Sequence, residues 1–183
     1  DDGFSIDKKV EMLSDSDQQS AVAKSMGLGM IGFSAALEEL EPDILIVLGD
    51  RIEMFSVATT ALVLNIPIAH IHGGELSEGS IDDVFRHAIT KMSVLHFAAT
   101  ETYRNRIIQL GENPSLVFCV GALSLEDLRE FDFIEKKELE LSIGIEFGEK
   151  CVLVSYHPET VKGSNNQQTI SELIEALDQM DDL

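Results

Sequence analysis

The sequence predicts an α/β fold built on a mainly parallel sheet, of the Rossmann-like kind. Short apolar runs with the length of buried strands alternate along the chain with helical segments, and this alternation is typical of right-handed βαβ units. The predicted strands cover residues 44–48, 66–71, 95–99, 116–120 and 151–155. The predicted helices cover residues 18–40, 52–64, 80–92, 100–110, 134–143 and 169–180.

The individual elements rest on spacing and on end signals. In the first helix, Val22, Met26, Met30 and Phe33 recur at three- and four-residue spacing. Residues 44–48 form a continuous apolar run, which predicts a strand buried on both faces. Residues 80–92 read as a helix with Ser80 as its cap and acidic residues in its first turn, where they suit the helix dipole.

The domain organisation follows from a change in composition after the fourth strand. We expect a Rossmann-like domain over residues 1–124 and a linker or crossing segment over the charge-rich residues 125–150. The apolar run at 151–155 would then begin a second α/β domain over residues 151–183. Residues 54–74 contain no charged side chain, but the Asn65-Ile66-Pro67 break favours a helix followed by a strand over a membrane span.

Composition excludes several classes of partner. Thirteen basic against 33 acidic residues give a formal net charge of −20, which repels nucleic acid and anionic membranes. Cys119 and Cys151 lie in apolar runs without metal-ligand or redox spacing, which predicts buried, reduced thiols in a cytoplasmic protein.

Two neighbouring strand ends carry polar clusters, and ligands of open α/β sheets bind outside such carboxyl ends. The first strand leads into Gly49-Asp50-Arg51, and the second leads into His72-Gly73-Gly74-Glu75. Asp50 either faces a ligand or caps the following helix, and Arg51 is solvated or pairs with Glu53. The paired glycines predict backbone N–H groups that meet an anion or a sugar.

The remaining candidates have a plain alternative each. His70 and His72 are predicted on one face of a strand, as two metal ligands or, more simply, as two satisfied histidines. Dipole complementarity and pairing one turn apart would explain Asp82, Asp83, Arg86 and His87. His157 follows the fifth predicted strand, as a cleft residue or an exposed turn histidine. We expect Asp50, Glu75 and Asp83 to converge at one sheet edge, where carboxylates suit general acid and base roles.

Four motifs, in their order and spacing, resemble a known family. GDRIE, HIHGGELSEGSIDDVFRHAITKMSVLHF, VGALSLEDL and SYHPET are similar to the hydrolysing UDP-N-acetylglucosamine 2-epimerases of sialic-acid and related sugar biosynthesis. The resemblance covers residues 42 to about 161. It implies a two-domain glycosyltransferase-B-like fold with the substrate between the domains, and a reaction without metal or nicotinamide cofactor. UDP would be eliminated across C1–C2 to a glycal, and water would then add to give the 2-epimeric free sugar.

The resemblance also implies residue roles. Four residues would be catalytic: Asp50, Glu75, Asp83 and His157. Of these, His157 would lie by the diphosphate and assist departure of UDP. Six residues would bind the substrate or support the site: Arg51, His72, Gly73, Gly74, Asp82 and Arg86.

The resemblance leaves the extent of the chain and the sugar open. The family's first strand and most of its second domain have no counterpart here, which predicts about half of an enzyme that is a homo-oligomer when full length. The sugar would be UDP-N-acetylglucosamine or a 4-acetamido-6-deoxy relative. The alternatives are a metal-dependent phosphoesterase and a non-catalytic sugar-nucleotide-binding module. A phosphoesterase of this kind normally has an Asp-x-His motif upstream, and the sequence before Asp50 contains none.

Overall fold

The computed structural model describes residues 3–12, 19–125, 128, 131–148, 150–157 and 165–180. The chain divides into two compact units, Asp1–Leu123 and Ser124–Leu183. The described residues of the first unit form four α-helices: α1 (Gln19–Leu40), α2 (Ile52–Val63), α3 (Asp82–Met92) and α4 (Glu101–Gln109). Its four strands are β1 (Leu45–Leu48), β2 (Ile68–Ile71), β3 (Leu95–Ala98) and β4 (Val117–Cys119). The predicted α/β class and the alternation of these elements are confirmed.

The four strands form one parallel sheet in the order β1-β2-β3-β4. Residues paired across parallel strands share a face of the sheet. One such row is buried throughout: Val47, His70, His96 and Val117. A row on the opposite face is partly or largely exposed: Leu48, Ile71, Phe97 and Phe118.

This difference between the faces corrects one prediction. Residues 44–48 were expected to be buried on both faces, but Ile46 is 63% exposed and Leu48 is 51% exposed. The reason is that β1 is an edge strand and the described helices cover the side of the sheet that carries Val47.

The core lies between α2, α3 and the strands. Ala58 and Ala61 are fully buried on α2, and their small side chains let the helix approach Val47 and Ile68 closely. A second cluster joins Ala98, Ile107 and Val117 under α4. These contacts hold β1, β2 and α3 in fixed relation, which is what positions the polar residues at their ends.

Helix α1 packs against α2 and also lies under the amino-terminal segment. A Cβ on Gly32 would collide with Val10, and one on Gly29 would lie 2.8 Å from Met12 Cε, so these glycines permit close packing. Within the described residues, Ser20–Leu40 is long and apolar enough to cross a membrane, which by itself is weak evidence of a span. Its Leu37 is buried in the core of the first unit.

The second unit contains α5 (Lys136–Ile143) and α6 (Asn166–Asp178). The predicted strand at 151–155 is wrong, because the described residues 150–157 contain no strand and Leu153 is 96% exposed. A strand needs a neighbour to pair its N–H and C=O groups, and no described residue pairs with this run. The prediction of buried cysteines is also wrong, since Cys119 and Cys151 are free but exposed.

Candidate functional site at the carboxyl ends of strands β1 and β2

The site lies where β1 and β2 end side by side. The N–H of Gly49 donates to the carbonyl of Ile71 at 3.0 Å, which continues the strand pairing one residue beyond the end of β1. Asp50 follows β1, the loop from His72 to Ile81 follows β2, and Asp82 begins α3. The expected meeting of these segments at one sheet edge is therefore confirmed by their geometry.

Arg86 is the centre of the site. Its side chain is only 8% exposed, and Nη2 forms a close ion pair with Asp50 Oδ2. Nη1 donates to the backbone carbonyl of His72 at 2.7 Å and lies 3.5 Å from Glu75 Oε2. One buried guanidinium thus binds the end of β1 and the loop after β2, in the planar, multiply hydrogen-bonded manner that arginine permits.

Glu75 also binds an imidazole. His72 Nδ1 lies 2.7 Å from Glu75 Oε1, and the two side chains are 20% and 24% exposed. The Glu75 carboxylate therefore stands between His72 and Arg86, one oxygen towards each. This pair is a site feature that the sequence did not single out.

Ser77 connects two of the candidate carboxylates. Its hydroxyl lies 3.2 Å from Asp50 Oδ2, and its backbone N–H donates to Asp83 Oδ1 at 2.8 Å. Arg86 Nη2 also donates to Ser77 Oγ at 3.0 Å. Asp50, Glu75 and Asp83 are in this way brought into one hydrogen-bonded cluster, while their catalytic roles stay predictions.

Asp82 and Arg51 have local partners instead. Asp82 Oδ2 accepts from Ser80 Oγ at 2.7 Å, and the N–H of Asp82 donates back to Ser80 Oγ at 3.2 Å. The prediction that Ser80 is the cap of α3 is wrong, because Ile81 occupies that position, although Ser80 Oγ still accepts from the first N–H of the helix. Arg51 is 77% exposed and pairs with Glu53 at 3.3 Å. Neither Asp82 nor Arg51 contacts the Arg86 cluster through a described hydrogen bond.

The two glycines of the loop lie where the protein packing is tight. A Cβ on Gly73 would lie 3.0 Å from His70 Nδ1, and one on Gly74 would collide with the backbone carbonyl of Tyr103 on α4. Gly74 also has a φ of +77°, and its carbonyl accepts from Arg106. The prediction that their N–H groups meet an anion or sugar stays a prediction, but close approach of α4 already explains Gly74, and His70 and Thr90 crowd Gly73.

The prediction that His70 and His72 share a strand face is wrong. β2 ends at Ile71, and His72 turns away with a φ of +63°. His70 is fully buried, and its Nε2–H donates to the Gly49 carbonyl at 2.8 Å while Nδ1 lies 3.2 Å from Thr90 Oγ1. Burial lowers the pKa of His70 from 6.5 to about 4, against the opposing effect of the Gly49 hydrogen bond. A neutral His70 therefore holds the turn that presents Asp50.

A second His–Glu pair lies in the first unit, away from this loop. His96 on β3 is 1% exposed, and its Nε2 lies 3.3 Å from Glu112 Oε2. Glu112 also pairs closely with Lys91 at the end of α3. Burial lowers the pKa of His96, although the charge of Glu112 opposes the shift.

His157 belongs to the second unit, where it is exposed and its Nε2 lies 3.1 Å from Ser155 Oγ. Its predicted place beside a diphosphate stays a prediction. In the parts of the two units that the structure describes, no three His, Cys, Asp or Glu side chains converge as metal ligands would. The metal-dependent phosphoesterase alternative therefore has no ligand set among those residues.

Comparisons with known proteins find related sequences along the whole chain. The sequence matches the family described as UDP-N-acetylglucosamine 2-epimerase over residues 1–183. It is 42% identical over 175 residues to the GDP/UDP-N,N'-diacetylbacillosamine 2-epimerase (hydrolyzing) of Campylobacter jejuni, covering 96% of this chain and 46% of that protein. It is 39% identical over 176 residues to the polysialic acid biosynthesis protein P7 of Escherichia coli, covering 96% and 45%. The chain thus spans less than half the length of these relatives.

Solved structures show the same fold. The UDP-N-acetylglucosamine 2-epimerase of Rickettsia bellii superposes with a TM-score of 0.58 at 26% identity, covering 65% of this chain and 31% of that one. The UDP-GlcNAc 2-epimerase of Neisseria meningitidis bound to UDP-GlcNAc superposes with a TM-score of 0.59 at 23% identity, covering 72% and 38%. The family match over residues 1–183, together with relatives that align with 96% of this chain, makes this chain a member of the UDP-N-acetylglucosamine 2-epimerase family.

Proposed function

We propose that this chain contributes its carboxylate cluster to a hydrolysing 2-epimerase that acts on a UDP-2-acetamido sugar. The observation that carries the proposal is the buried Arg86, which binds both Asp50 and Glu75 at the carboxyl edge of the sheet. Asp83 joins the same cluster through Ser77. Carboxylates arranged in this way at a strand-end crevice can take up and deliver protons on a bound sugar.

The reaction needs groups that move protons and a group that helps a phosphate leave. In the first step the C2–H bond breaks, its electron pair forms the C1=C2 double bond, and the C1–O bond breaks with its pair passing to UDP. In the second step the oxygen of water adds to C1, and a proton adds to C2 on the opposite face. Asp50, Glu75 and Asp83 supply the acid and base groups for these transfers.

The leaving group is where His157 has its proposed role. A donor beside the departing diphosphate stabilises negative charge that grows as the C1–O bond breaks, so it acts mainly on the transition state. The support for this role is the SYHPET motif. Gly73, Gly74, Asp82 and Arg51 complete the proposed binding and supporting set.

The names of the relatives narrow the choice of sugar in the proposed substrate. Proteins named for N,N'-diacetylbacillosamine are 42% and 40% identical to this chain, whereas the UDP-N-acetylglucosamine 2-epimerase of Neisseria meningitidis is 30% identical. We therefore favour a UDP-2,4-diacetamido-6-deoxy sugar over UDP-N-acetylglucosamine. The whole protein is expected to be a cytoplasmic homo-oligomer.

The test is made in a full-length polypeptide that contains this sequence. Incubation with each UDP-sugar should release UDP together with a free sugar inverted at C2, measured by phosphate coupling and proton NMR. Addition of EDTA should leave the rate unchanged. UDP binding without release of sugar would favour the non-catalytic binding module, and loss of activity on chelation would favour a metal-dependent phosphoesterase.

A further inference from the structure

The backbone of His72 is held in a conformation that few side chains adopt. Its φ is +63°, and among the described residues only Glu41 and Asn65 share a positive φ without being glycine. Such a conformation costs about 1–3 kcal/mol and persists when its surroundings enforce it. Here the N–H of His72 donates to the carbonyl of Phe97 at 2.9 Å, and its own carbonyl accepts from Arg86 at 2.7 Å. The loop is thus fixed on both sides of this residue.

The side chain of His72 is oriented as strictly as its backbone. Nδ1 lies 2.7 Å from Glu75 Oε1, and a carboxylate oxygen accepts, so Nδ1 carries the proton of the neutral ring. The lone pair of a neutral imidazole then lies on Nε2. Nε2 has no hydrogen-bond partner among the described residues, and the side chain is 20% exposed beside the Asp50–Arg86 pair.

Glu75 is less free to act on a substrate than His72 is. One of its oxygens meets His72, and the other lies 3.5 Å from Arg86 Nη1. A carboxylate that orients a histidine in this way stabilises the imidazolium that forms when Nε2 takes a proton.

Building on the proposed epimerase function, we propose that His72 is a catalytic base of the elimination step and that Glu75 is its positioning residue. His72 Nε2 takes the proton from C2 as the C2–H electron pair forms the C1=C2 bond and the C1–O pair leaves with UDP. The imidazolium then gives its proton to solvent before the next turnover. In this refinement of the proposed function, Glu75 contributes to proton transfer through His72, and Asp50 and Asp83 remain for the addition of water.

The test uses His72→Asn in a full-length polypeptide that contains this sequence. Asparagine tolerates a positive φ, as Asn65 does here at 58°, and its amide can still donate to Glu75, but it cannot accept the C2 proton. We expect UDP release and the uptake of solvent deuterium at C2 to fall by about 10²-fold or more, while UDP still binds. Glu112→Gln, which breaks the other His–Glu pair of the first unit, is the matched control and should keep normal turnover.

Two further variants separate this role from a structural one. If Glu75 works through His72, adding Glu75→Gln to His72→Asn should cause no further loss, whereas independent catalytic groups would lose rate multiplicatively. His72→Gly also accepts a positive φ and vacates the imidazole position, so free imidazole in the buffer should restore part of its lost rate.

The outcomes distinguish this inference from the proposed function. Wild-type turnover with a His72→Asn rate within about threefold of normal would overturn the role of His72 and leave the epimerase function standing. A UDP-binding His72→Gly variant that imidazole does not rescue would also overturn it. Wild-type protein that releases no UDP from any UDP-2-acetamido sugar would instead contradict the proposed function.

Discussion

The described part of the first unit contains two His–Glu pairs of the same chemistry in different surroundings. His72 and Glu75 lie 2.7 Å apart on a loop and are 20% and 24% exposed, whereas His96 and Glu112 lie 3.3 Å apart and are 1% and 14% exposed. The open pair shares a buried arginine with Asp50, and the closed pair shares a lysine that is half exposed. The comparison leads us to expect that the sealed pair contributes mainly to stability and that the open pair, as proposed, takes part in the reaction.

The largest expected difference is in the stability lost when the cation of each pair, Arg86 or Lys91, is removed. Arg86→Met leaves Asp50 and Glu75 without their buried partner and should lower the free energy of unfolding by about 3–5 kcal/mol. Lys91→Met removes a cation that is 51% exposed and should cost about 1 kcal/mol or less. Urea unfolding of both variants checks this. Equal losses would mean that the two pairs are equivalent.

The second prediction concerns the loss of stability at low pH. The pKa of His70 is about 4 in the folded chain and 6.5 when unfolded, so the unfolded state binds more protons between these values. Stability is therefore fully present above pH 6.5 and falls as the pH drops towards 4. The expected loss is about 2 kcal/mol between pH 7 and 5, and the lowered pKa of His96 adds to it.

Urea midpoints measured at several pH values check this window. His70→Gln keeps a donor for the Gly49 carbonyl but cannot titrate, so its profile should be flatter than that of the wild type. A wild-type midpoint that does not fall between pH 7 and 5 would show that His70 does not stay neutral in the folded chain.

The third prediction concerns the closed pair itself. Glu112→Gln weakens the contacts to His96 and Lys91 and should lower the free energy of unfolding by about 1–3 kcal/mol. Because this pair is sealed, the loss should appear in thermal or urea unfolding of the chain. An unchanged unfolding curve would mean that the buried pair contributes little to stability.

Much of the fold was predictable because each element has a local signal. The apolar runs before Gly49 and His72 identified β1 and β2, and recurring apolar residues identified α1 and α2. The prediction of a strand at 151–155 was wrong because an apolar run does not show whether a neighbouring strand is present to pair with it. The predicted burial of Ile46 and of Cys119 was wrong for a related reason, since both residues lie on edge strands.

The candidate site was predictable in its carboxylates but not in its connections. Asp50 and Glu75 follow strand ends, which the topology of a parallel sheet brings together. Ser77 carries no such signal, because a serine in a polar loop is common and only the folded loop places it between Asp50 and Asp83. The turn at His72 was not predictable either, because H-I-H continues the strand pattern. The positive φ of His72 arises from its backbone contacts with Phe97 and Arg86.

The most direct test of the Asp50, Glu75 and Asp83 cluster as a reaction site compares three conservative variants in a full-length polypeptide that contains this sequence. Glu75→Gln keeps side-chain shape but removes the charge that orients and stabilises His72, and Asp83→Asn removes proton transfer, so UDP release should fall by about 10²-fold or more in each while UDP binding is retained. Glu112→Gln should release UDP at the normal rate despite its lower stability. Near-normal rates for both Glu75→Gln and Asp83→Asn would contradict the assignment and leave these carboxylates as capping and packing groups.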